Sequence, residues 1–567
     1  MQAGETTLNK LLNTSRQFIV PIFQRNYSWQ VEQQLQLWTD ILRASNFSEK
    51  QNHFIGSIVY IDMGTPAGRP QQLLLIDGQQ RIATVSILLC ALKKYIQTNH
   101  IDTKLINLAK INNQFLINID EQNEDKYKLL LNVQDKDTYM KLLEQTEYTL
   151  QKPSMSIINC YKFYYKLIEE YVIEGNDVDK IYQGILKLNL VAIALDKEMD
   201  SPQLIFESMN ATGKDLSQTD LLKNYLLMDL FPEKQLKLYK TYWQPIEELF
   251  GQELYQEGFD YFIRDFLTIK SETGQIFKIS NVYECFKRYY LDKKWQKESI
   301  LQELFMFARY YAMIRFNQEQ DKELNYYWQE LQRVDSHVVA PFFMQVYKDY
   351  DEKLINKIDF ILIIKMTINY LCRRAICDLP TNSLSKTFAN LYQEIDKNNY
   401  VNSVVRAYIF KSGYKRFPSD YEVREKLQLK DMYHFRLKKY ILEKLENYQH
   451  KEPIDIVKDN YTIEHIMPQN IQQHWVWQKA LGENWQEAHE IYLHTLGNLT
   501  ITAYNAELSN RSFTEKLNSI GGFKDSHLRL NKTIAKFKNW DSKAIQSRTN
   551  ILIDLFLKVW EYPYEKY

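Results

Sequence analysis

Short apolar runs indicate β-strands in the first 230 residues of the chain. Four segments are rich in β-branched and aromatic residues and are bounded by turn-forming positions. They are QFIVPIF at 17–23, HFIGSIVYI at 53–61, QLLLI at 72–76 and LVAIAL at 190–195. TPAGRP at 65–70 predicts a loop or hairpin end between two of them. The pattern predicts a mixed α/β region up to about residue 230.

Residues 231–445 carry a different pattern. Leucines and aromatics recur every three or four positions with few glycines and prolines, which predicts helices almost throughout. We find no site chemistry there and interpret this region as a helical scaffold. From residue 446 a mixed pattern returns, with strands in YTIEHI at 461–466 and GNLTIT at 497–502. The predicted fold class is α+β, multidomain and mostly helical, with domains at 1–230, 231–445 and 446–567.

Chain length indicates more than one domain, and charge is informative only in one local segment. A chain of 567 residues is too long for one ordinary core. Its 71 basic and 71 acidic residues cancel, so the overall charge gives no sign of a nucleic-acid partner. One basic segment, 511–548, holds nine Lys and Arg against three Asp and Glu, a net charge of +6. Such a segment can bind phosphates, although a solvated helix face has the same composition.

Cysteine usage and hydropathy favour a cytoplasmic protein. The five cysteines are scattered and odd in number, which suits a reducing compartment better than a disulfide framework. The segment MQAGETTLNKLL lacks the apolar core of a signal peptide, and no apolar stretch is long enough to cross a bilayer. We therefore expect no membrane partner.

The strongest candidate chemistry lies near the C-terminus. YTIEHIMPQ places Glu464 and His465 at the end of a strand, which Pro468 terminates. HTLGNLTIT places Asn498 at the opening of a second strand, and Asn505 follows where a helix begins. Strand, loop, strand and helix form the ββα arrangement that brings a histidine, an asparagine and a further polar ligand around one metal ion.

These residue types match the chemistry of phosphodiester cleavage. A neutral His465 would take a proton from the attacking water, as a general base. Oxygen ligands from Glu464 and Asn505 suit Mg²⁺ or Mn²⁺, which would neutralise charge on the scissile phosphate. Asn498 is placed to brace the loop that presents His465. Asn510 competes with Asn505 for the ligand role.

Other residues near this motif have simpler assignments. Arg511 and Lys516, both in the basic segment, are assigned as DNA phosphate contacts. Three histidines of the connecting loop are expected at structural or surface positions: His474, His489 and His494. Because no cysteine follows Cys377, a zinc-ribbon version of the nuclease is excluded.

A second constellation lies in the N-terminal region, where LLLIDGQQRIATVSILL predicts strand, tight turn and helix. Gly78 would let the backbone approach a ligand, and the first helical turn, with Gln79 and Gln80, offers N–H groups to an anion. Arg81 can contact phosphate through two N–H groups, and Asp77 could hold a metal or orient water. A plain turn before a core helix is the alternative interpretation of this motif.

Two further motifs flank this turn. VPIFQRNYSWQ supplies Gln24 and Arg25 after a strand. In FESMNATGKDLSQTDLLKN, Ser217 and Asp220 form a capping box. The same motif supplies further polar or conformationally special positions: Glu207, Asn210, Gly213 and Lys223. TGKD lacks the preceding glycine and the Ser or Thr of a P-loop, so any nucleotide site is of another kind.

Together the motifs resemble those of the GmrSD-type type IV restriction enzymes. FQRNYSW, DGQQR and FESMNATG, in this order, are similar to the N-terminal domain of that family, over roughly residues 10–230. EHI, GNL and Asn505, followed by SNRSFTEKL and by NW at 539–540, are similar to its C-terminal domain, over roughly residues 430–560. FRLKKYILEKLEN at 435–447 resembles the helix before the first strand of that domain. Both halves lie in one polypeptide, as in fused GmrSD, BrxU and SspE proteins.

The resemblance implies a fold. The N-terminal domain would be ParB-like, and its DGQQR residues would bind and hydrolyse a nucleoside triphosphate, with GTP, ATP and UTP all open. The C-terminal domain would be a ββα-metal, or His-Me finger (H-N-H), nuclease. By the same resemblance His465 is the general base, Asn498 the structural asparagine, and Glu464 and Asn505 the ligands of Mg²⁺ or Mn²⁺.

The resemblance also implies a function. The chain would restrict phage or other foreign double-stranded DNA that carries a modified base or backbone, and a homodimer is one assembly state open to it. Two other functions are compatible with the motifs: a nucleotide-hydrolysing sensor of DNA modification that does not cut, and a toxin that cuts RNA. A cleavage assay separates the first of these from a nuclease, and a substrate panel separates the second.

Overall fold

The computed structural model of the chain describes residues 2–48, 51–146, 150–196, 200, 203–205, 207, 217–228, 230–334 and 337–563. The chain divides into two compact units, Met1–Asp260 with Ile279–Phe305, and Tyr261–Lys278 with Met306–Tyr567. The predicted region 231–445 is shared between the two units: 231–260 and 279–305 belong to the first, and 261–278 and 306–445 belong to the second.

A six-stranded mixed sheet lies at the centre of the first unit. Its strands are β1 (Gln2–Thr7), β2 (Arg16–Ile19), β3 (His53–Asp62), β4 (Gln71–Asp77), β5 (Leu129–Leu130) and β6 (Leu188–Leu195). The strand order is β1-β6-β3-β4-β2-β5, with β1–β6 and β3–β4 antiparallel and the other neighbours parallel. The four predicted strands are confirmed as β2, β3, β4 and β6. The sequence pattern missed β1 and β5.

Helices pack around this sheet. Those that begin in the first unit are α1 (Leu8–Leu12), α2 (Val31–Ser45), α3 (Gln79–Asn99), α4 (Leu108–Ile111), α5 (Val133–Glu144), α6 (Met155–Ile173), α7 (Val178–Leu186), α8 (Gln218–Leu227), α9 (Pro232–Leu238), α10 (Gln244–Lys270), α11 (Val282–Asp292) and α12 (Lys297–Arg315). Helix α3 is apolar around most of its circumference and is buried from Ile82 to Leu92. The turn that starts α3 is therefore anchored to the core of this unit.

The second unit is mainly helical. Its helices are α13 (Lys322–Val334), α14 (Ala340–Asp351), α15 (Lys357–Ile376), α16 (Leu384–Asn390), α17 (Tyr400–Ile409), α18 (Asp420–Leu429), α19 (Lys438–Asn447), α20 (Trp475–Leu481), α21 (Trp485–Tyr492), α22 (Asn505–Leu508), α23 (Phe513–Asn518), α24 (Arg529–Ile534) and α25 (Ser542–Val559). Two antiparallel strands, β7 (Thr462–His465) and β8 (Leu499–Thr502), confirm the two strands predicted in this part of the chain. No helix in the described part of the chain is both long and apolar enough to cross a membrane.

Helix α25 packs directly on the turn before β8. A Cβ atom on Gly497 would lie 2.3 Å from the backbone oxygen of Ile545, so only glycine permits this approach. The guanidinium of Arg548, on the same helix, is fully buried and donates to the backbone oxygens of Gly497 at 2.7 Å and Leu499 at 2.8 Å. Burial lowers the pKa of Arg548 to about 9. The strand that follows the turn is thus fixed by a buried cation from α25.

The turn at the start of α3 gives a testable consequence. Gly78 has a φ of +91°, and a Cβ atom there would lie 2.8 Å from Cγ1 of Ile58 on β3. We expect Gly78→Ala to lower the free energy of unfolding by about 1–3 kcal/mol from backbone strain, and further from the clash. Denaturant unfolding followed by circular dichroism measures the loss.

Gly64→Ala is the matched control for this substitution. Gly64 has a similar φ of +82°, but a Cβ atom there would meet nothing within 4 Å. It should therefore cost only the backbone strain. Equal losses for the two variants would mean that the contact with β3 does not require glycine.

Candidate functional site

Asn498 links the two segments of the C-terminal site. It directly precedes β8, in a pair of strands whose register places His465 opposite Leu499. The Oδ1 atom of Asn498 accepts from the backbone N–H of Met467 at 2.8 Å and from the indole of Trp540 at 3.1 Å. Its Nδ2 donates to the backbone oxygens of Met467 at 3.0 Å and Leu493 at 2.9 Å. The amide is fully buried, so its four bonds hold the segment after His465 against the start of β8.

His465 lies at the end of β7 and is 5% exposed. Its Nε2 lies 3.1 Å from Nδ1 of His494, and its Nδ1 lies 3.3 Å from the amide nitrogen of Gln469. The ring of Tyr433 covers it at a centroid distance of 4.5 Å. Burial, with smaller effects from His494 and Lys516, lowers the pKa of His465 to about 3. The imidazole is therefore neutral at neutral pH, which is the form a general base requires.

Behind His465 lies a buried ion pair. Nζ of Lys516 is 2.5 Å from Oε1 of Glu464 and donates to the backbone oxygen of His465 at 2.8 Å. Burial raises the pKa of Glu464 and lowers that of Lys516, and each partner opposes the shift of the other. Lys516 is fully buried. The phosphate contact predicted for Lys516 is therefore corrected, because its ammonium is enclosed beneath the strand and turned towards Glu464.

Glu464, one of the two metal ligands predicted from the sequence, is already paired with a cation in this arrangement. The ammonium of Lys516 already occupies the place beside the Glu464 carboxylate that a cation would take. Withdrawing Glu464 towards an ion would leave Lys516 buried without its partner. Asn505 is half-buried next to β7, where its Nδ2 donates to the backbone oxygen of Ile463 at 3.3 Å. Asn510 is exposed, and the choice between the two asparagines stays open.

A different group of metal-binding side chains converges near His465. Among the described residues, potential ligand atoms of Asp431, His434 and His494 lie within 4.8 Å of one another. Asp431 and His434 were not among the candidate site residues predicted from the sequence. His494 was expected at a structural or surface position. The only signal was the Asp-x-x-His spacing at 431–434, which lies about 60 residues from its partner in the chain. His489, also in the connecting loop, contacts the backbone oxygen of Pro468 through Nε2 at 2.9 Å.

Most of the basic segment 511–548 faces solvent. Lys516 and Arg548 are buried and serve the fold. The remaining seven cations are exposed: Arg511, Lys524, Arg529, Lys532, Lys536, Lys538 and Lys543. Arg511 thus lies where a phosphate could reach it, as its assignment requires.

In the first unit, the glutamines of DGQQR contact neighbouring protein segments. Gln24 is fully buried and donates to the backbone oxygen of Ile76 at 2.9 Å, while Gln79 donates to Oε1 of Gln24 at 3.0 Å. Gln80 accepts from the backbone N–H of Ser28 at 2.9 Å and donates to the backbone oxygen of Asn26 at 3.2 Å. The nucleotide contacts predicted for these three glutamines stay a prediction. In the structure their amides join β4 and α3 to the FQRNYSW segment.

The other DGQQR residues also have protein partners. Arg81 donates to the backbone oxygen of Ser57 at 2.5 Å and lies 3.8 Å from a carboxylate oxygen of Asp77. The side chains of both residues are about one-third exposed. The close approach predicted for Gly78 is made to Ile58 of β3. This turn therefore joins β3, β4 and α3, and only Asp77 and Arg81 retain exposure to solvent.

A polar cavity of about 320 Å³ in the first unit is lined by residues of the FQRNYSW segment and not by those of DGQQR. Arg25 lines it, and the Nε atom of Arg25 is buried without a hydrogen-bond partner among the described residues. Asp220 also lines it, and one of its buried oxygens has no partner in the described part of the chain. Burial lowers the pKa of Arg25 and raises that of Asp220, and their mutual attraction opposes both shifts. Arg25 and Asp220 therefore offer polar atoms to a ligand.

Three side chains of the same cavity are internally paired. Lys223 and Glu247 form a buried ion pair at 2.7 Å. Asp135 accepts from the backbone N–H of Tyr27 at 2.6 Å and from the hydroxyl of Ser154 at 2.7 Å. These contacts fix the cavity wall.

The downstream motif is described only in part. Asn210 and Gly213 lie outside the described residues. Glu207 pairs with Lys287 at 3.0 Å. The hydroxyl of Ser217 accepts from the backbone N–H of Asp220 at 3.1 Å, which caps the start of α8.

The buried pair beneath His465 gives a prediction on stability. Lys516→Met should lower the free energy of unfolding by about 3–5 kcal/mol, because it leaves the Glu464 carboxyl buried without a cation. The double variant Glu464→Gln/Lys516→Met should recover most of that loss. Denaturant unfolding of the single and double variants measures both effects.

Lys458→Met is the control for loss of an exposed ion pair. Lys458 is 83% exposed and pairs with Asp455 at the surface, so its removal should cost less than about 1 kcal/mol. A loss from Lys516→Met no larger than that of the control would contradict the account of the buried pair.

The two parts of the chain that carry these sites match known domains. Residues 8–227 match the domain described as "GmrSD restriction endonuclease, N-terminal domain". Residues 417–555 match "GmrSD restriction endonucleases, C-terminal domain". No curated protein matches the chain. The two domain matches together span well over half of the sequence and occur in the order expected from the motifs, and the chain therefore belongs to the GmrSD restriction endonuclease family.

Proposed function

We propose that the second unit cuts double-stranded DNA at a site built around His465. The observation that carries this proposal is a buried imidazole at the end of β7, next to a segment that the buried amide of Asn498 holds in place. In the proposed reaction His465 removes a proton from the attacking water. Asn498 acts as a positioning residue, since every bond it makes is to the protein and not to the reacting atoms.

The other residues of the site either support strand β7 or bind the DNA backbone. Glu464 and Lys516 fix the backbone of β7 from below and are kept out of the reaction by their pairing. The exposed cations of the basic segment, including Arg511, bind the DNA backbone. A divalent cation would neutralise charge on the scissile phosphate.

We also propose that the cavity lined by Arg25 and Asp220 binds a nucleoside triphosphate. Its volume of about 320 Å³ is at the lower end of small-molecule sites. Arg25 would contact phosphate through its unpartnered guanidinium nitrogen. Three carboxylates and two cations line the cavity, so a polyphosphate would enter with a bound cation.

A nuclease and a nucleotide-binding site in one chain are suited to a restriction enzyme. We propose that the first unit uses nucleotide binding and hydrolysis to sense foreign DNA with modified bases or backbone, and that the second unit cuts it. Family membership supports this proposal. The contacts of the site leave the modification open.

Replacing His465 tests the nuclease directly. His465→Ala should lower the cleavage rate by roughly two to four orders of magnitude while DNA binding is retained, since the imidazole moves a proton and does not hold the duplex. The assay compares modified and unmodified duplex DNA and single-stranded RNA, with Mg²⁺ and with Mn²⁺.

His450→Ala is the matched control, because His450 is a half-buried histidine outside the site, whose Nδ1 accepts from the backbone N–H of Glu452 at 3.0 Å. It should cut at the wild-type rate. Cleavage by His465→Ala at the wild-type rate would refute the assignment. A wild-type chain that binds DNA without cutting it, or that cuts only RNA, would refute the proposed function.

Replacing Arg25 tests the nucleotide site. Arg25→Ala should weaken binding of a fluorescent nucleoside triphosphate at least about ten-fold, because it removes a charged contact to phosphate. Arg43→Ala is the control, since Arg43 is an exposed residue of α2 outside the cavity. Unchanged nucleotide affinity in Arg25→Ala would place the nucleotide elsewhere.

A further inference from the structure

We propose that Asp431, His434 and His494 bind one divalent transition-metal ion next to His465. These three side chains were not assigned to a metal by the sequence. Their potential ligand atoms lie within 4.8 Å of one another, and they supply two imidazoles and one carboxylate. The claim concerns metal binding and does not depend on the proposed nuclease.

The first two ligands converge through a shared hydrogen bond. Oδ2 of Asp431 lies 2.8 Å from Nδ1 of His434, and Oδ1 of the same carboxylate accepts from the His434 backbone N–H at 2.9 Å. Two ligand atoms bound to one such ion at its usual bond lengths are separated by about 3–3.5 Å. An ion can therefore take the place of the proton between Asp431 and His434. Only a small adjustment is needed, because the side chain of His434 is 65% exposed and that of Asp431 is 49% exposed.

The third ligand is fixed by its surroundings. The ring of His494 stacks on Tyr433 at a centroid distance of 5.4 Å and an interplanar angle of 13°. The backbone oxygen of His494 accepts from the N–H of Met432 at 2.8 Å. The loop that carries Asp431 and His434 is therefore tied to His494 at both backbone and ring, although the two segments are far apart in the sequence. Because the two segments are already held together before an ion binds, the three side chains are suited to bind an ion.

The contact between His494 and His465 determines how the two sites are related. Nδ1 of His494 faces Nε2 of His465 at 3.1 Å, so Nε2 of His494 is the atom left for an ion. Metal binding through Nε2 would place the proton of His494 on Nδ1. The ion would thereby fix the tautomer of His494, and His465 itself would not be a ligand.

The donor set indicates which ions bind. Imidazole nitrogens favour Zn²⁺, Co²⁺ and Ni²⁺ over Mg²⁺, which prefers oxygen ligands. Three protein ligands leave positions on the ion for water or for an anionic ligand. The predicted site thus differs from the oxygen-ligated centre expected at Glu464 and Asn505 in both its residues and its preferred metal.

Titration of the metal-free full-length chain with Co²⁺, followed by its visible absorption, tests the proposal. The wild-type chain should bind one Co²⁺ that Zn²⁺ displaces and that excess Mg²⁺ does not. Asp431→Asn and His434→Ala should each raise the Kd for Co²⁺ at least about ten-fold, because each removes one ligand. His465→Ala, Glu464→Gln and the control His450→Ala should bind Co²⁺ like the wild type.

Thermal unfolding shows whether each variant is folded, and His434→Gln replaces His434→Ala if the latter is not. Absence of Co²⁺ binding by the wild-type chain would overturn the proposal. So would wild-type affinity in both Asp431→Asn and His434→Ala, or a loss of binding in Glu464→Gln that these two variants do not share. If His465→Ala loses DNA cleavage and still binds Co²⁺, both the nuclease proposal and the metal-site proposal are supported. Because cleavage and Co²⁺ binding are measured separately, failure of one proposal is distinguishable from failure of the other.

Discussion

The C-terminal site depends on one buried amide. Asn498 makes four hydrogen bonds and reaches both sides of the segment that follows His465. Each of these four bonds matters, because leaving one buried group of the amide without its partner costs about 1–3 kcal/mol. Helix α25 sets the position of this amide, because Gly497 and Arg548 bring the helix onto the turn before β8. The placement of His465 thus depends on the packing of α25 against the turn before β8.

Burial separates residues that support the site from residues that can act in it. Glu464 and Lys516 satisfy each other beneath β7 and stay enclosed, whereas His465 has lost solvent and, with it, its positive charge. The first unit follows the same principle. Gln24, Gln79 and Gln80 join strands and loops through their side-chain amides, while Arg25 has a nitrogen without a partner among the described residues, beside a cavity. In the first unit, glutamines of the motifs therefore hold the framework, while Arg25 of the FQRNYSW motif offers a polar atom to a ligand.

The sequence predicts apolar strands and motif positions well, and contacts between distant residues poorly. Strands β3, β4 and β6 have branched apolar cores that alternate or run together, so their pattern is readable. Strand β1, QAGETT, is an edge strand with exposed polar side chains and is defined only by its pairing with β6. Lys516 was predicted to face phosphate because no local pattern distinguishes a surface lysine from one paired with Glu464, 52 residues earlier. The same limit hid Asp431 and His434, whose partner is His494.

The most direct test of the central claim is the single-turnover cleavage rate of Asn498→Asp at saturating DNA. An aspartate can still accept from Met467 and Trp540 but cannot donate to the backbone oxygens of Met467 and Leu493, so the segment after His465 is released on one side. If Asn498 holds His465 in its reactive position, the rate constant falls roughly a hundred-fold, while the Kd for DNA stays at the wild-type value and the variant remains folded by circular dichroism. A folded Asn498→Asp variant that cuts DNA at the wild-type rate would contradict the account.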